Sequence, residues 1–455
     1  MKKNTVAVVG AGMVGVSCAL ELQRRGYAVT LFDRTDPGRE TSYGNAGVLA
    51  RSSLMPFNNP GLWASLPRLL KNRSVQFRYS PRFLASNLSW ALGFLYRART
   101  RVFDETTEAL NALIQLSGKE HQRLMADAGV AHRLRESGWI FLYRNEQGFA
   151  GGQLARDTFD RFGVSIEALD KHGLSDLEPH LKPVFERALW IKDAASVDSP
   201  GDIVQAYARL FVDRGGRIER RNISALRRID GPGSNGSGGA TSDGTSHATG
   251  SGVAASNSNG SSAHRETGSR WQAISDNGES HEAAHIVVAL GPWSKVFMKQ
   301  TLNVSVPMGF ERGYHMHYEA TQGATLTRPI YDTAGGYVLS PMAQGLRLTT
   351  GVELTAHDAP ENLTQLGLAE QAARAAFPLG ARAESTVWRG SRPTLPDSRP
   401  MIGECPGHAG IWLAFGHQHI GFSTGPGTAA LLGSMMAGEP CAIQPAPFSP
   451  GRFIR

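Results

Sequence analysis

The sequence predicts an α/β fold in which βα units at both ends of the chain enclose a middle part rich in β-sheet. Residues 5–33 form the pattern strand, helix, strand. Residues 303–353 alternate apolar and polar side chains and are rich in aromatics, which is typical of antiparallel strands. A further apolar run at 410–416 leads through a glycine-rich turn into a helical segment, Thr428 to Ala437.

The opening unit has the features of a buried parallel strand followed by an amphipathic helix. Residues 5–9 are a short continuous apolar run, as a strand covered on both faces would be. Residues 13–25 carry apolar side chains at helical spacing, and Gly26 ends that pattern. A second strand at 28–32 ends at Asp33. The segment therefore predicts a βαβ unit.

The elements between the two ends are predicted from apolar periodicity and turn residues. We expect helices at 104–128, 148–162, 203–214 and 362–377, and strands at 138–143, 217–230, 270–275 and 286–290. Residues 231–269 are almost entirely Gly, Ser, Thr, Asn and Ala. Such a composition buries too little apolar surface to offset the entropy of ordering, so we predict a flexible insertion there.

Composition excludes several broad classes of protein. The 455 residues suffice for two or three domains, and 41% hydrophobic with 19% charged residues is typical of a globular chain. The formal net charge is +7, but no zinc-finger or basic aromatic motif indicates a nucleic-acid partner. Three cysteines, Cys18, Cys405 and Cys441, are too few and too scattered for a disulfide framework or a metal cluster. We therefore predict no metal site and a reducing, cytoplasmic compartment.

One segment could contact a membrane surface. No apolar run approaches the roughly 20 residues that span a bilayer, and the N-terminus is interpreted as a first strand rather than a signal peptide. Residues 82–101 are apolar, carry Trp and Tyr, and are flanked by arginines. An interfacial helix would have this composition, although a buried helix with a basic end explains it too, and we favour the buried helix.

A glycine-rich turn between the first strand and the first helix indicates a dinucleotide. Residues 10–15 are Gly-Ala-Gly-Met-Val-Gly, which fits G-x-G-x-x-G, and Asp33 ends the following strand. The first glycine allows a tight turn, the second allows the backbone to approach a pyrophosphate, and the third allows the helix to pack on the strand. The N-terminus of the helix then faces the phosphates. Asp33 can accept hydrogen bonds from ribose hydroxyls. The motif fits NAD and FAD equally.

Five stretches together resemble a known superfamily. They are 6–33, TSYGNAGVL at 41–49, VVALGPWS at 287–294, WRGSRPTLPDSRPMIG at 388–403 and WLAFGHQHIGFSTGPGTAALL at 412–432. In this order they resemble the FAD-dependent amino acid oxidases and dehydrogenases, on the branch of the bacterial D-amino acid dehydrogenases. Residues 52–200 and the insertion match weakly or not at all. The resemblance implies a discontinuous Rossmann-like FAD-binding domain and a β-sheet-rich substrate domain of the D-amino acid oxidase type.

The resemblance also implies which residues hold FAD. They are Gly10, Ala11, Gly12, Met13, Val14 and Gly15 at the pyrophosphate, Asp33 and Arg34 at the ribose, Ile223 at the adenine, Ser42, Asn45, Ala46, Gly47, Leu290 and Gly291 along the cofactor, and Gly416, His417, Ile420, Gly421, Phe422 and Ser423 beneath the flavin. Asp33 stands where the family usually has Glu. Related sarcosine oxidases attach FAD to a Cys just before Pro396-Asp397, and none stands there, so we predict non-covalent FAD.

Three residues are the candidates for the substrate. The planar guanidinium of Arg392 suits a bidentate clamp on a carboxylate, and the resemblance places a carboxylate-binding Arg there. Tyr337 matches a family Tyr that bonds the same carboxylate, and His419 stands where related glycine oxidases carry an Arg. We also expect a helix near Gly427 to direct its amides at the anionic reduced flavin.

The resemblance implies oxidation of a D-amino acid, with hydride passing from the α-carbon to flavin N5 and the imine hydrolysed to a 2-oxo acid and ammonia. D-proline or D-hydroxyproline, a glycine or sarcosine-type oxidase using oxygen, a hydroxy acid, and a non-catalytic FAD-binding subunit stay open. The electron acceptor could be a quinone or another protein at the inner membrane. We predict FAD-binding segments at 1–50, 150–230, 270–300 and 385–440, and substrate-domain segments at 51–149 and 301–384.

Overall fold

The computed structural model describes residues 4–229, 270–321 and 323–454. The predicted insertion at 231–269 lies outside the described residues. The helices are α1 (Met13–Arg24), α2 (Gly61–Leu70), α3 (Pro81–Ser86), α4 (Leu88–Tyr96), α5 (Thr100–Asp127), α6 (Glu146–Ala150), α7 (Gln153–Arg161), α8 (Lys171–Leu177), α9 (Pro200–Asp213), α10 (Ser294–Leu302), α11 (Thr364–Ala376) and α12 (Gly421–Ala437).

The strands alternate with these helices along the whole chain. They are β1 (Thr5–Val9), β2 (Ala28–Asp33), β3 (Val48–Leu49), β4 (Phe77–Tyr79), β5 (Leu134–Arg135), β6 (Trp139–Tyr143), β7 (Ile166–Leu169), β8 (Arg187–Ile191), β9 (Ala195–Val197), β10 (Arg217–Arg220), β11 (Ile223–Ile229), β12 (Arg270–Ser275), β13 (Ser280–Ala283), β14 (His285–Val288), β15 (Gly309–Ala320), β16 (Ile330–Asp332), β17 (Tyr337–Met342), β18 (Gly345–Thr350), β19 (Val352–Leu354), β20 (Leu379–Arg382), β21 (Trp388–Thr394), β22 (Met401–Glu404) and β23 (Ile411–Phe415).

The first sheet is built from both ends of the chain. Its order is β10-β2-β1-β14-β23-β22, parallel except for the last pair. Val6 and Val8 pack into the core on the side of α1, whereas Ala7 and Val9 pack into the core on the other side. Each buried valine contributes about 1.5–3 kcal/mol. Burial on both faces explains the continuous apolar runs, and the predicted α/β fold is confirmed.

The second sheet has 11 strands and forms the middle of the molecule. Its main path is β4-β19-β15-β18-β17-β16-β6-β8-β7, and β20 and β21 also pair with β15. The long strand β15 is antiparallel to β18, β19, β20 and β21. The alternating pattern at 303–353 therefore does form antiparallel strands.

The ranges 217–230 and 82–101 differ from the predicted elements, whereas two other segments bear on the predicted domain partition. The range 217–230 forms two strands, β10 and β11, which lie in different sheets. The range 82–101 contains the two short helices α3 and α4, in which only Phe83 and Trp90 are buried, so the favoured buried helix is wrong. Strands β7 and β8, which we placed in the FAD-binding segments, pair in the 11-stranded sheet. Helix α5, which we placed in the substrate domain, packs on α12. The domain partition itself stays a prediction.

The C-terminal helix begins at Gly421 and not at Thr428, because a residue from another helix replaces the bond that a proline removes. Pro426 lies inside α12 and has no N–H to donate to the carbonyl oxygen of Phe422. The Nε2 atom of His121, in α5, lies 2.9 Å from that oxygen and donates to it. The helix therefore continues through the proline.

Candidate active site

A single cavity begins at the edge where the parallel strands of the first sheet end. The turn after β1, Asp33 at the end of β2 and Leu290 just after β14 line its first part. The carboxyl ends of parallel strands are where α/β sheets bind ligands. The cavity has a volume of about 1080 Å³ and continues to Arg392 on the second sheet.

The glycine-rich turn holds α1 with its N-terminus toward the cavity. A Cβ at Gly15 would lie 1.7 Å from the carbonyl oxygen of Gly10, so only glycine allows this contact between helix and strand. The amide of Ala11 donates to Oδ2 of Asp33 at 2.6 Å. Gly12 has no side chain to cap α1, and the first helical amide, that of Met13, donates to the hydroxyl of Ser42 at 3.0 Å, so the amides from Val14 onward can serve an anion. These features fit the pyrophosphate of a dinucleotide.

Most of the predicted cofactor residues line this cavity. The lining set is Gly10, Gly12, Met13, Val14, Asp33, Arg34, Ser42, Asn45, Ala46, Ile223, Leu290, Gly291, His417, Ile420, Gly421, Phe422 and Ser423. Four predicted residues do not line the cavity, and they belong to the backbone that supports it: Ala11, Gly15, Gly47 and Gly416. The long shape, from a glycine-rich turn to a second sheet, suits a dinucleotide that carries a flavin.

The loop at 42–47 is hydrogen-bonded to the second sheet through the buried guanidinium of Arg347. Arg347, on β18, is 2% exposed and donates to the carbonyl oxygens of Tyr43 at 2.8 Å and Asn45 at 2.6 Å. Burial lowers the pKa of Arg347 to about 10, so it stays charged at neutral pH. Asn45 Oδ1 accepts from the amide of Gly47 at 2.8 Å. The conformation of the loop is therefore stabilised both by a hydrogen bond within it and by the hydrogen bonds from Arg347.

A histidine and a glutamate complete the environment of this arginine. The Nε atom of Arg347 donates to Nε2 of His317 at 3.0 Å, and Nδ1 of His317 lies 2.9 Å from Oε1 of Glu384. His317 therefore carries its proton on Nδ1. His315, His317 and Glu384 are close enough to ligate a metal ion, but the bond from Arg347 already uses the free lone pair of His317. We assign no metal to them.

The side chain of Arg392 passes over Gly313 on the neighbouring strand and reaches the cavity. Its β21 strand pairs with β15, and a Cβ at Gly313 would lie 2.5 Å from its Nη2 atom. Among the described residues its donors reach only the carbonyl oxygens of Thr350 and Gly351, each at 3.5 Å. That is longer than an ordinary N–H···O bond, so the guanidinium keeps donors for a ligand. Burial lowers the pKa of Arg392, and the charge of Glu311 opposes the shift.

Glu311 is a cavity residue that the sequence analysis missed. It stands directly opposite Arg392 in the β15–β21 pair, lines the cavity and is 2% exposed. Of its neighbours in the sequence, Arg312 lies on the other face and donates to the carbonyl oxygens of Ala356 and Pro360, each at 2.7 Å. The sequence signal that could have identified Glu311 is its position two residues before Gly313, because residues two apart in a strand share a face.

Tyr337 does not line the cavity, which corrects its predicted contact with substrate. Its neighbours Gly336 and Val338 line it instead. Successive side chains of a strand point to opposite faces, so Tyr337 packs into the core of the second sheet and is 1% exposed. Burial, and the adjacent charge of Asp332, raise the pKa of its hydroxyl.

The start of α12 forms the wall opposite the second sheet. The hydroxyls of Ser423 and Thr424 donate back to the carbonyl oxygen of Ile420, at 3.0 and 2.7 Å, so neither caps the amides. The helix starts at Gly421, earlier than the predicted Gly427, and its first three residues line the cavity. Their amides could stabilise negative charge on a ligand.

Two histidines of this wall are neutral at neutral pH. Burial lowers the pKa of His417 to about 3, and its Nε2 atom lies 2.9 Å from the hydroxyl of Thr428. Burial and the charge of Arg392 lower the pKa of His419 to about 3. His419 lines the cavity, and its Nδ1 atom has no hydrogen-bond partner among the described residues. It therefore keeps an unsatisfied ring nitrogen near Arg392.

Helices α2 and α4 form the outer side of the cavity. Leu62, Leu66 and Leu69 of α2 line it, as do Ala91 and Leu95 of α4. No residue of α2 is buried, so the helix is a thin cover between the cavity and solvent. No helix in the described part of the chain has both the length and the apolar character needed to cross a bilayer.

Comparison with known proteins agrees with this architecture. Residues 5–435 match the family described as "DAO: FAD dependent oxidoreductase". A "D-amino-acid oxidase" of Bradyrhizobium diazoefficiens is 27% identical over 458 residues, covering 99% of both chains. A "D-amino acid dehydrogenase" of Rhizobium rhizogenes is 24% identical over 464 residues, covering 98% of this chain and 99% of the relative.

Solved structures show the same fold at lower identity. Glycine oxidase from Geobacillus kaustophilus has a TM-score of 0.67 at 20% identity and covers 100% of both chains. L-proline dehydrogenase from P. horikoshii has a TM-score of 0.70 at 15% identity and covers 100% of this chain and 99% of the other. FAD, expected from the sequence, is confirmed as the cofactor of the matched family. The chain belongs to the FAD-dependent oxidoreductases of the DAO family.

Proposed function

We propose that the chain oxidises the carbon–nitrogen bond of a small α-amino acid, with a D-amino acid as the first candidate. The observation that carries this proposal is the guanidinium of Arg392, which faces the cavity with donors that only long backbone contacts occupy. A carboxylate supplies the two parallel acceptors that such a group prefers. The names of the relatives support the same class of substrate.

In this proposal the protein orients the substrate and FAD accepts the hydride. The turn at 10–15 and Asp33 would hold the pyrophosphate and ribose, and the loop at 42–47 would lie along the flavin. Arg392 would bind the carboxylate, and His419, beside it, would bond the substrate or the flavin. Amides at the start of α12 would stabilise the negative charge that the reduced flavin carries. Orientation of this kind supplies several kcal/mol of rate acceleration.

We propose that FAD is held without a covalent bond. None of the three cysteines, all within the described residues, lines the cavity. Burial raises the pKa of Cys405 to about 11, so its thiol is also unreactive at neutral pH. Acid precipitation should therefore release all of the flavin into the supernatant, and yellow colour retained in the pellet would contradict this.

For the electron acceptor, we propose a quinone reached at an anionic membrane surface. Between residues 41 and 103 there is no acid, whereas nine bases occur: Arg51, Arg68, Lys71, Arg73, Arg78, Arg82, Arg97, Arg99 and Arg101. In the same region Trp63, Leu70 and Leu92 are 50%, 61% and 58% exposed. Apolar side chains among bases suit the surface of an anionic bilayer. Since α2 also lines the cavity, this contact would lie next to the flavin.

The test is anaerobic reduction of the bound flavin. Purified protein is mixed with separate D- and L-amino acids, D-proline, D-hydroxyproline, glycine, sarcosine and 2-hydroxy acids, and the flavin absorbance is followed. Rapid bleaching by D-amino acids alone is the expected result. Bleaching only by a D-imino acid, or by glycine and sarcosine, would move the function to that class. A flavin that none of them reduces would leave a non-catalytic FAD-binding subunit.

A further inference from the structure

We propose that Glu311 is the catalytic residue that takes the proton from the ammonium group of the substrate. The proposal rests on the function proposed above and adds a residue to it. Glu311 and Arg392 are direct partners in the antiparallel pair of β15 and β21, so their side chains leave the same face of the sheet. Both line the cavity.

The carboxyl group of Glu311 is buried and incompletely bonded. The side chain is 2% exposed, and its Oε2 atom has no hydrogen-bond partner among the described residues. A buried carboxylate is costly unless it is paired. Burial raises the pKa of Glu311, while the nearby hydroxyl of Thr394 and the charge of Arg392 oppose the shift. The charge of Arg392 thus favours the ionised form of Glu311 while the cavity is free of substrate.

Substrate binding changes this balance. An amino acid in neutral water carries a carboxylate and an ammonium group. Once its carboxylate pairs with Arg392, that cation no longer compensates Glu311, whose affinity for a proton therefore rises. The ammonium group arrives in the same event, because it is bonded to the same α-carbon as the carboxylate.

The proton step is balanced within the cavity. One N–H bond of the ammonium breaks, its electron pair remains on nitrogen, and the proton forms an O–H bond with Glu311. Before the step the cavity holds Arg392 as a cation, Glu311 as an anion and the zwitterion. Afterwards it holds the cation, the substrate carboxylate, a neutral amine and a neutral acid. The nitrogen lone pair is then free to assist hydride departure to the flavin, which is the oxidant in the following step.

The other titratable groups of the cavity do not offer an equivalent base near Arg392. His417 and His419, whose pKa values burial lowers to about 3, are already neutral and are poor proton acceptors. Also lining the cavity are Arg68 on α2, Tyr79 on β4, Arg34, Arg221 and Tyr331, together with the acids Asp33 and Glu40 at the glycine-rich turn. On β19, the partner of Glu311 is Leu354, which does not ionise.

The first test measures proton uptake when a carboxylate without an amine binds. Benzoate is titrated into the FAD-loaded protein by calorimetry at pH 7.5, in two buffers with different ionisation enthalpies. We expect about one proton to be taken up per benzoate in the unmodified protein, because Glu311 must be neutralised, and none in Glu311→Gln. No uptake in the unmodified protein, equal uptake in both, or no benzoate binding would each overturn the proposal.

The second test follows the rate of anaerobic flavin reduction as the pH changes. With Glu311 present, the rate should be nearly constant from pH 7 to 10. In Glu311→Gln it should fall about 100-fold at pH 7, the usual size of a general-base contribution, and recover about tenfold per pH unit as free amine becomes available. Parallel profiles in the two proteins would overturn the proposal.

A matched control uses another buried acid of the same sheet. Glu353, on β19, is 8% exposed, accepts from the hydroxyl of Tyr314 at 3.0 Å and does not line the cavity. Glu353→Gln should keep the pH profile of the unmodified protein even where stability falls. If no amino acid reduces the flavin of the unmodified protein, the proposed function fails. If reduction occurs but Glu311→Gln does not change its pH dependence, only the role of Glu311 fails.

Discussion

The imidazole of His121 donates to the carbonyl oxygen of Phe422, which Pro426 leaves without its helical partner. A residue of α5 thereby completes the helix whose first residues line the cavity. The Nδ1 atom of the same ring lies 3.1 Å from the hydroxyl of Tyr207. Because a carbonyl oxygen can only accept, the proton of the neutral imidazole is on Nε2.

Burial of this imidazole makes stability depend on pH. Burial lowers the pKa of His121 to about 4, whereas an unfolded histidine has a pKa of about 6.5. Between these two pKa values His121 binds a proton in the unfolded chain but not in the folded chain. The free energy of unfolding therefore falls as the pH drops from 6.5 toward 4. At pH 5 the loss is about 2 kcal/mol relative to pH 8. In His121→Gln, which can still donate to Phe422, urea unfolding should show a pH dependence smaller by this amount. An unchanged dependence would contradict the assignment.

Removal of the clamp should weaken substrate binding and leave the cofactor in place. In Arg392→Ala the substrate carboxylate loses its cation, and we expect kcat/KM to fall at least 100-fold, since charged hydrogen bonds contribute about 1.5–3 kcal/mol each. Steady-state kinetics and the flavin content measure the two effects. Arg389→Ala is the control, because Arg389 lies on the same strand but is exposed. Equal losses in the two variants would argue against a specific clamp.

Arg347 should control the affinity for FAD. Its bonds to the carbonyl oxygens of Tyr43 and Asn45 are lost in Arg347→Leu, which frees the loop at 42–47. We expect the Kd of FAD, measured by flavin fluorescence, to rise about tenfold or more, given about 1.5–3 kcal/mol for each charged bond. Arg382→Leu, in which an exposed arginine of the same sheet is removed, should leave the Kd unchanged. Tight FAD binding by Arg347→Leu would refute the role of the loop.

The exposed face of α2 should bind anionic lipid. In sedimentation with phosphatidylglycerol vesicles we expect the unmodified protein to bind, and the double variant Trp63→Ser with Leu70→Ser to bind at least tenfold more weakly. The control is Val212→Ser, which removes an exposed apolar side chain outside this region. Binding should decrease as salt is added, because the bases are screened. Equal binding to neutral phosphatidylcholine would show that the bases play no part.

The sequence was sufficient for the cofactor side of the cavity because its signals are local. A turn such as 10–15 is specified by neighbouring residues, and the cavity indeed begins there. The substrate side depends on pairing between distant strands. No short-range pattern connects Glu311 with Arg392, and the prediction for Tyr337 was off by one residue, which in a strand reverses the face. The start of α12 was missed because Pro426 is a stop signal unless another helix supplies a donor.

The order of strands in the first sheet has a consequence for synthesis of the protein. Strand β1 pairs with β14, whose partner β23 ends at Phe415, and the helix that closes the cavity follows it. The cavity is therefore complete only after nearly the whole chain has left the ribosome, and such distant pairing forms slowly. We therefore expect tight FAD binding only after α12 has been synthesised. Flavin fluorescence quenching during translation would thus report the last stage of folding.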